Sequence, residues 1–106
     1  MTRQRLPNRR ASTTFVIESQ GLAFTVTVST FDTGEPAELF ITNHHASSGA
    51  GIMASDAAIA ASLALQFGCP AEVLRRALAR DSHGNASGPL GAALDRFAVD
   101  DGAPAP

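Results

Sequence analysis

The sequence predicts one α+β domain: a three-stranded antiparallel meander packed against two to three C-terminal helices. Three observations predict it. Apolar residues alternate with a period of two between residues 13 and 42, they recur at helical spacing between 52 and 97, and Gly or Pro marks most junctions. At 106 residues the chain is one domain's worth, and 44% hydrophobic residues suffice for a core of that size.

Residues 1–12 read as a flexible polar arm holding Arg3, Arg5, Arg9 and Arg10, with Pro7 and Asn8 opposing helix. Residues 13–19, rich in β-branched side chains, read as the first strand. Gln20-Gly21 suits a tight hairpin turn. In the second strand, 22–30, Leu22, Phe24, Val26 and Val28 share one face, and Ala23, Thr25, Thr27 and Ser29 the other. One face is therefore expected to be buried and the other wet. After a turn at Asp32-Thr33-Gly34-Glu35, the third strand spans 37–42, with Leu39 and Ile41 opposite Glu38, Phe40 and Thr42.

A small polar connection, His44 to Gly51, leads into a helix from Ile52 or Ser55 to Phe67. Ser55 reads as its N-cap and Asp56 as a carboxylate near its positive end. Ala57, Ala58, Ala60, Ala61 and Ala64 make it thin, so it is expected centrally under the sheet. Gly68 closes it. Pro70 opens a second helix to about Arg80, with Val73, Leu74, Ala77 and Leu78 as its apolar stripe. Residues 81–88 read as loop. Pro89 starts a last helix through Phe97, striped by Leu90, Ala93, Leu94 and Phe97, and 99–106 read as a disordered tail after a domain spanning 13–98.

Composition excludes several classes. One cysteine allows neither an internal disulfide nor a four-cysteine zinc site. A formal net charge of −2 supplies no basic field, so nucleic acid is not an expected partner. No apolar run approaches the roughly 20 residues that span a bilayer, and the first ten residues lack a secretory apolar stretch. A cytoplasmic protein that does not enter membranes is expected, and the Arg and Ala excess suggests a GC-rich bacterial genome. All eight basic residues are arginine, whose planar head suits carboxylate or phosphate.

The chemistry-bearing residues each have a plainer reading. Cys69 lies near a helix start, where a thiol can be acidified, yet a half-buried free cysteine usually only packs. His44 and His45 are adjacent and would diverge in a strand; with His83 they make three imidazoles. Asp56 and Glu38 could pair as acids, or serve as a helix-end carboxylate and a surface glutamate. Gly49-Ala50-Gly51 and Ser87-Gly88-Pro89 both precede helices, whose free N–H groups favour anions, but such loops are often only connectors.

Three strings carry a family resemblance. Gly34, Pro36, Glu38, Phe40 and Ile41 follow a Gly-x-Pro-x-Glu-x-Phe-Ile pattern. Gly51-Ile52-Met53 enters a helix, and Ser62 to Gly68 with Pro70 follows Ser-Leu-Ala-Leu-Gln-x-Gly-x-Pro. In these, over residues 9 to 97, the chain resembles the TSCPD domain, the C-terminal module of adenosylcobalamin-dependent (class II) ribonucleotide reductases. The Thr-Ser-Cys-Pro-Asp string itself has no counterpart, and His44-His45 stands where the long reductases carry a lysine-containing segment. Reductase chemistry needs three cysteines and a barrel of several hundred residues, which one cysteine in 106 residues cannot supply.

The resemblance implies a non-catalytic accessory module in deoxyribonucleotide metabolism, without a cofactor of its own. It would act on a reductase subunit or other protein, or on a nucleotide or phosphate. A small histidine-based metal protein or enzyme is the alternative, favoured if His44, His45 and His83 converge. The expected ligand seat is the junction of Ser48, Gly49 and Gly51 with Ser87 and Gly88, with the three histidines beside it. Unpaired sheet edges suggest a homodimer or a docked partner, through the Phe40 face or a strand edge.

Overall fold

The computed structural model describes residues 2–3, 11–45 and 48–102. Arg5, Arg9 and Arg10 of the predicted arm, Ser47 of the connection and residues 103–106 lie outside the described residues. The chain is an α+β domain: strands β1 (Ser12–Ser19), β2 (Leu22–Thr30) and β3 (Pro36–Thr42), then helices α1 (Gly49–Gln66), α2 (Ala71–Ala77) and α3 (Pro89–Gly102).

The strands form one antiparallel sheet in the order β1-β2-β3. Gln20 and Gly21 both take positive φ, 54° and 77°. Two such residues make the hairpin twist that matches paired strands, and Ser19 sits across from Leu22. Register then sets the faces. Phe15 opposes Val26, Ile17 opposes Phe24, Val26 opposes Ile41 and Val28 opposes Leu39, all on the buried face. Leu39, Ile41, Val26 and Val28 are fully enclosed, worth about 1.5–3 kcal/mol each in apolar burial. The opposite face carries Thr14, Val16, Thr25, Thr27 and Phe40 and is largely open, with Phe40 52% exposed.

α1 and α3 share the buried face. α1 packs chiefly on β3 and α3 on β1. The small buried side chains Ala54, Ala58 and Ala61 let α1 approach the sheet closely. It lies under the edge strand rather than centrally, because Ala93, Leu94 and Phe97 of α3 occupy the rest of the core.

α1 also seals the outer edge of β3. Ser62 Oγ accepts from Leu39 N at 2.8 Å and faces Leu39 O at 3.2 Å, while Gln66 Nε2 donates to Ala37 O at 3.0 Å. Two helix side chains thus take the place of a fourth strand. On β1, Arg96 donates to Val16 O at 3.3 Å and covers the Phe15 ring at 5.2 Å. The strand edges expected to invite another chain are met by side chains of the same chain at these positions.

Helix boundaries differ from expectation in instructive ways. α1 begins early, at Gly49 instead of Ile52: Ser48, about two turns before the expected Ser55, is its N-cap, its Oγ accepting from Gly51 N at 3.1 Å. Asp56 is therefore an exposed residue inside the helix, remote from its positive end. Its C-terminus is a Schellman closure, with Gly68 at φ 102°, Gly68 N bonded to Leu65 O and Cys69 N to Ala64 O. α1 has 18 residues of mean hydropathy 1.2, long and apolar enough by length and composition to cross a membrane, which the sequence reading did not anticipate.

α2 stops at Ala77 instead of Arg80. Asp81 Oδ1 accepts from both His83 N and Asn85 N, and Arg80 bridges to Ala86. That turn competes with further helix. Of the predicted α2 stripe, Leu74 and Leu78 pack on the core, while Val73 is 58% exposed. α3 continues past Phe97 through Gly102, into the segment expected to be disordered.

Candidate functional site

The first turns of α1 and α3 converge. Gly49 and Ala50 from one, and Gly88, Pro89, Leu90 and Gly91 from the other, line a common cleft of about 650 Å³. Leu22 and Phe24 of β2, Met53, Ala54 and Ala57 of α1, and Leu78 after α2 complete its walls. Ser19 and Gln20 bring the hairpin turn to its rim, and Gln20 Nε2 donates to Ser87 O at 3.1 Å, tying that turn to the start of α3.

The sequence explains this convergence. Ser48 caps α1, so the connection from β3 must turn beside the sheet end where Gln20-Gly21 also lies. Ser87 N bonds to Ala79 O at 2.9 Å, and Asp81 N to Asn85 O at 2.9 Å. This closed 79–87 loop delivers Gly88-Pro89 to the same end. A side chain added at Gly49 or Gly88 would meet nothing within 4 Å. Both backbones are therefore open to a ligand.

The expected site residues divide. Gly49 and Gly88 share the cleft wall. Gly51 is buried with its N–H held by Ser48 Oγ, so Ser48 spends its hydroxyl on the cap. Ser87 contributes its carbonyl to Gln20. His44, His45 and His83 are exposed and do not line the cleft. Among the described residues no three His, Cys, Asp or Glu side chains come together to hold a metal ion. Cys69 is half-buried at the α1–α2 corner, its Sγ 3.6 Å from Pro70 O. Glu38 stands on the open sheet face and Asp56 on the outer face of α1.

Two features escaped sequence reasoning. One is the apolar floor of the cleft: Leu22, Phe24, Leu78 and Leu90 come from three separate segments. The available signal was Leu22, apolar at the outermost core position of β2. The other is an ion cluster. Asp95 of α3 accepts from Arg75 Nε at 2.7 Å and from both terminal nitrogens of Arg80 at 2.7 and 2.8 Å. Arg80 also donates to the carbonyls of Arg75 and Gly84, and Glu72 pairs with Arg75 and Arg76 at 3.0 Å each. Only the Glu72 pairs, three and four residues apart, were visible in one helix pattern.

Hydrogen bonds from Arg80 and then Arg75 hold the Asp95 carboxyl below the ordinary carboxylate range, against partial burial. The same bonds raise both guanidinium groups. All the polar heads are mutually satisfied, so the cluster fastens α2, which has no fully buried residue, to α3.

The cleft is different in kind. Among the described residues no charged side chain lines it. It offers an apolar floor, two glycine-bearing helix starts, a serine and a glutamine. Such a set can bind and orient a ligand. It presents no pair of groups for proton transfer or nucleophilic attack. No family model matches the chain, and neither a curated protein nor a solved structure matches it.

Proposed function

We propose that this chain is a non-catalytic binding module whose ligand seat is the cleft between β2 and the first turns of α1 and α3. The observation that carries this reading is the pairing of an apolar floor with two helix starts at one opening of about 650 Å³. A cavity of that size suits a small organic ligand.

The chemistry narrows the ligand. Leu22, Phe24, Met53 and Leu90 favour a flat apolar or aromatic body. Each helix start contributes about half a positive charge, and among the described residues no arginine lines the seat. The seat therefore balances roughly one negative charge, which favours a monophosphate or carboxylate over a triphosphate. A nucleotide fits this description, with its base on the floor and its phosphate toward Gly49 and Gly88. That ligand class agrees with the resemblance to the TSCPD module of class II ribonucleotide reductases, from which we take the context of deoxyribonucleotide metabolism, with a reductase chain as a partner.

The metal reading has no comparable support, since the three histidines lack the company a metal centre needs among the described residues. Calorimetric titration with a nucleoside and its mono-, di- and triphosphate tests the proposal. The monophosphate is expected to bind most tightly, and Gly88→Val, which fills the opening, to weaken it at least tenfold. Equal affinity of wild type and Gly88→Val, or no heat with any of the four at millimolar concentration, would remove the cleft as the seat.

A further inference from the structure

Ser19 is the buried polar side chain of the cleft wall. It follows Phe15 and Ile17 on the inner face of β1 and is 8% exposed. Two other buried polar side chains, Ser62 and Gln66, spend their hydrogen bonds on β3, and Ser29 lies on the opposite face of the sheet. Ser19 Oγ bonds to no other described residue. Among the described residues no fully sealed polar side-chain atom lacks a partner, so this hydroxyl keeps an opening, and the cavity that Ser19 lines is the cleft. A hydroxyl set among apolar neighbours without a bond weakens a fold. A local rule broken at a cavity wall points to what the cavity holds.

We propose that Ser19 selects the ligand by the edge of its ring: the cleft takes an anionic heteroaromatic ring with an N–H or an acceptor at its edge, and rejects a hydrocarbon ring of the same size. This rests on the cleft being the ligand seat.

Register places the hydroxyl for that task. Ser19 stands directly across from Leu22, which sets their Cβ atoms about 5 Å apart on one face. A ring lying on Leu22 and Phe24 therefore turns its edge to Ser19. Both residues belong to paired strands, and the Gln20 bond to Ser87 O at 3.1 Å holds the turn beside them. The hydroxyl is thus fixed before a ligand arrives. Serine both donates and accepts, so it meets either kind of edge atom without choosing among bases. Its selectivity is against hydrocarbon. A ring with no polar edge would take water from the hydroxyl and return no bond, the asymmetry by which a polar site rejects an apolar analogue.

Calorimetric titration with adenosine monophosphate and with 1-naphthyl phosphate separates this selection from the seat itself. Ser19→Ala is expected to weaken the nucleotide about fivefold and to tighten naphthyl phosphate, so that the preference between them falls about tenfold. Its thermal midpoint is expected to equal or exceed that of wild type, because the fold loses no bond. Gly88→Val is expected to weaken both ligands. If Gly88→Val weakens both but Ser19→Ala leaves the preference unchanged, the selection is overturned and the seat stands. A lowered midpoint in Ser19→Ala would likewise overturn it, since the hydroxyl would then serve the fold. Binding of neither ligand, or binding indifferent to Gly88→Val, would overturn the seat and the selection together.

Discussion

Ser62→Ala tests how α1 closes the sheet. Ser62 is 7% exposed and Leu39 only 1%. The hydroxyl accepts from Leu39 N at 2.8 Å and lies 2.8 Å from Ala58 O, to which it donates. Alanine removes the acceptor and leaves the Leu39 N–H buried without a partner, a loss of about 1–3 kcal/mol. The higher helix propensity of alanine returns about 0.5 kcal/mol. The expected net loss is about 0.5–2.5 kcal/mol, a fall in Tm of roughly 2–15 °C for a domain of this size. Urea unfolding should show a lower midpoint with an unchanged slope, and hydrogen exchange at the Leu39 amide should quicken. Ser55→Ala, on the same helix without such a bond, should stay within about 0.5 kcal/mol. If Ser62→Ala costs no more than Ser55→Ala, the edge of β3 is not held by this hydroxyl and the reasoning is refuted.

Other expectations follow from single contacts. Asp95→Asn should destabilise the domain by about 1–2 kcal/mol, a charge-assisted loss discounted for partial exposure, and should loosen α2 first in hydrogen exchange. Because the folded carboxyl of Asp95 is depressed, its contribution is present above the ordinary carboxylate value and is lost as pH falls through the folded one; urea midpoints between pH 5 and 2 should fall more steeply in wild type than in Asp95→Asn. Gly68→Ala forces a side chain to φ 102° and should lower stability by about 1–2 kcal/mol, read as a shift in thermal midpoint. Gly91→Ala meets Ala86 Cβ at 3.0 Å, so overpacking of about 1–3 kcal/mol should outweigh the propensity gain of about 1 kcal/mol; a raised Tm would contradict this.

Where local chemistry decides the conformation, the sequence was legible. The strand faces followed from period-two alternation, since one-residue slips would expose Val26 and Leu39 together. The Gln20-Gly21 turn and the Gly68 closure needed only positive φ at a junction. The start of α1 was misread because Gly49 and Gly51 are poor helix formers, and the Ser48 cap outweighs them only with Ala54 and Ala58 packed below. α2 was read too long because the turn at Asp81, whose Oδ1 accepts from His83 N and Asn85 N, takes over from the helix, while Arg80 is drawn to Asp95, a partner outside any local window.

The candidate site was legible only in part. Two Gly-bearing helix starts could be named, but their meeting depends on Gln20 tying to Ser87 across 67 residues. Histidines beside them in sequence point elsewhere, since neighbours on a short loop need not share a wall. The apolar floor was hidden for a different reason. Leu22, Phe24, Leu78 and Leu90 read as ordinary core residues, and a cleft wall has the composition of a core.

The most direct test is residue-level mapping of the cleft by NMR. Titrating the isotopically labelled chain with a nucleoside monophosphate should give saturable shifts at the Gly49, Gly88 and Leu90 amides and the Met53 methyl group. The imidazoles of His44, His45 and His83 and the Phe40 face should stay still. Shifts confined to the histidines, or none at the cleft at millimolar ligand, would contradict a ligand seat between α1 and α3.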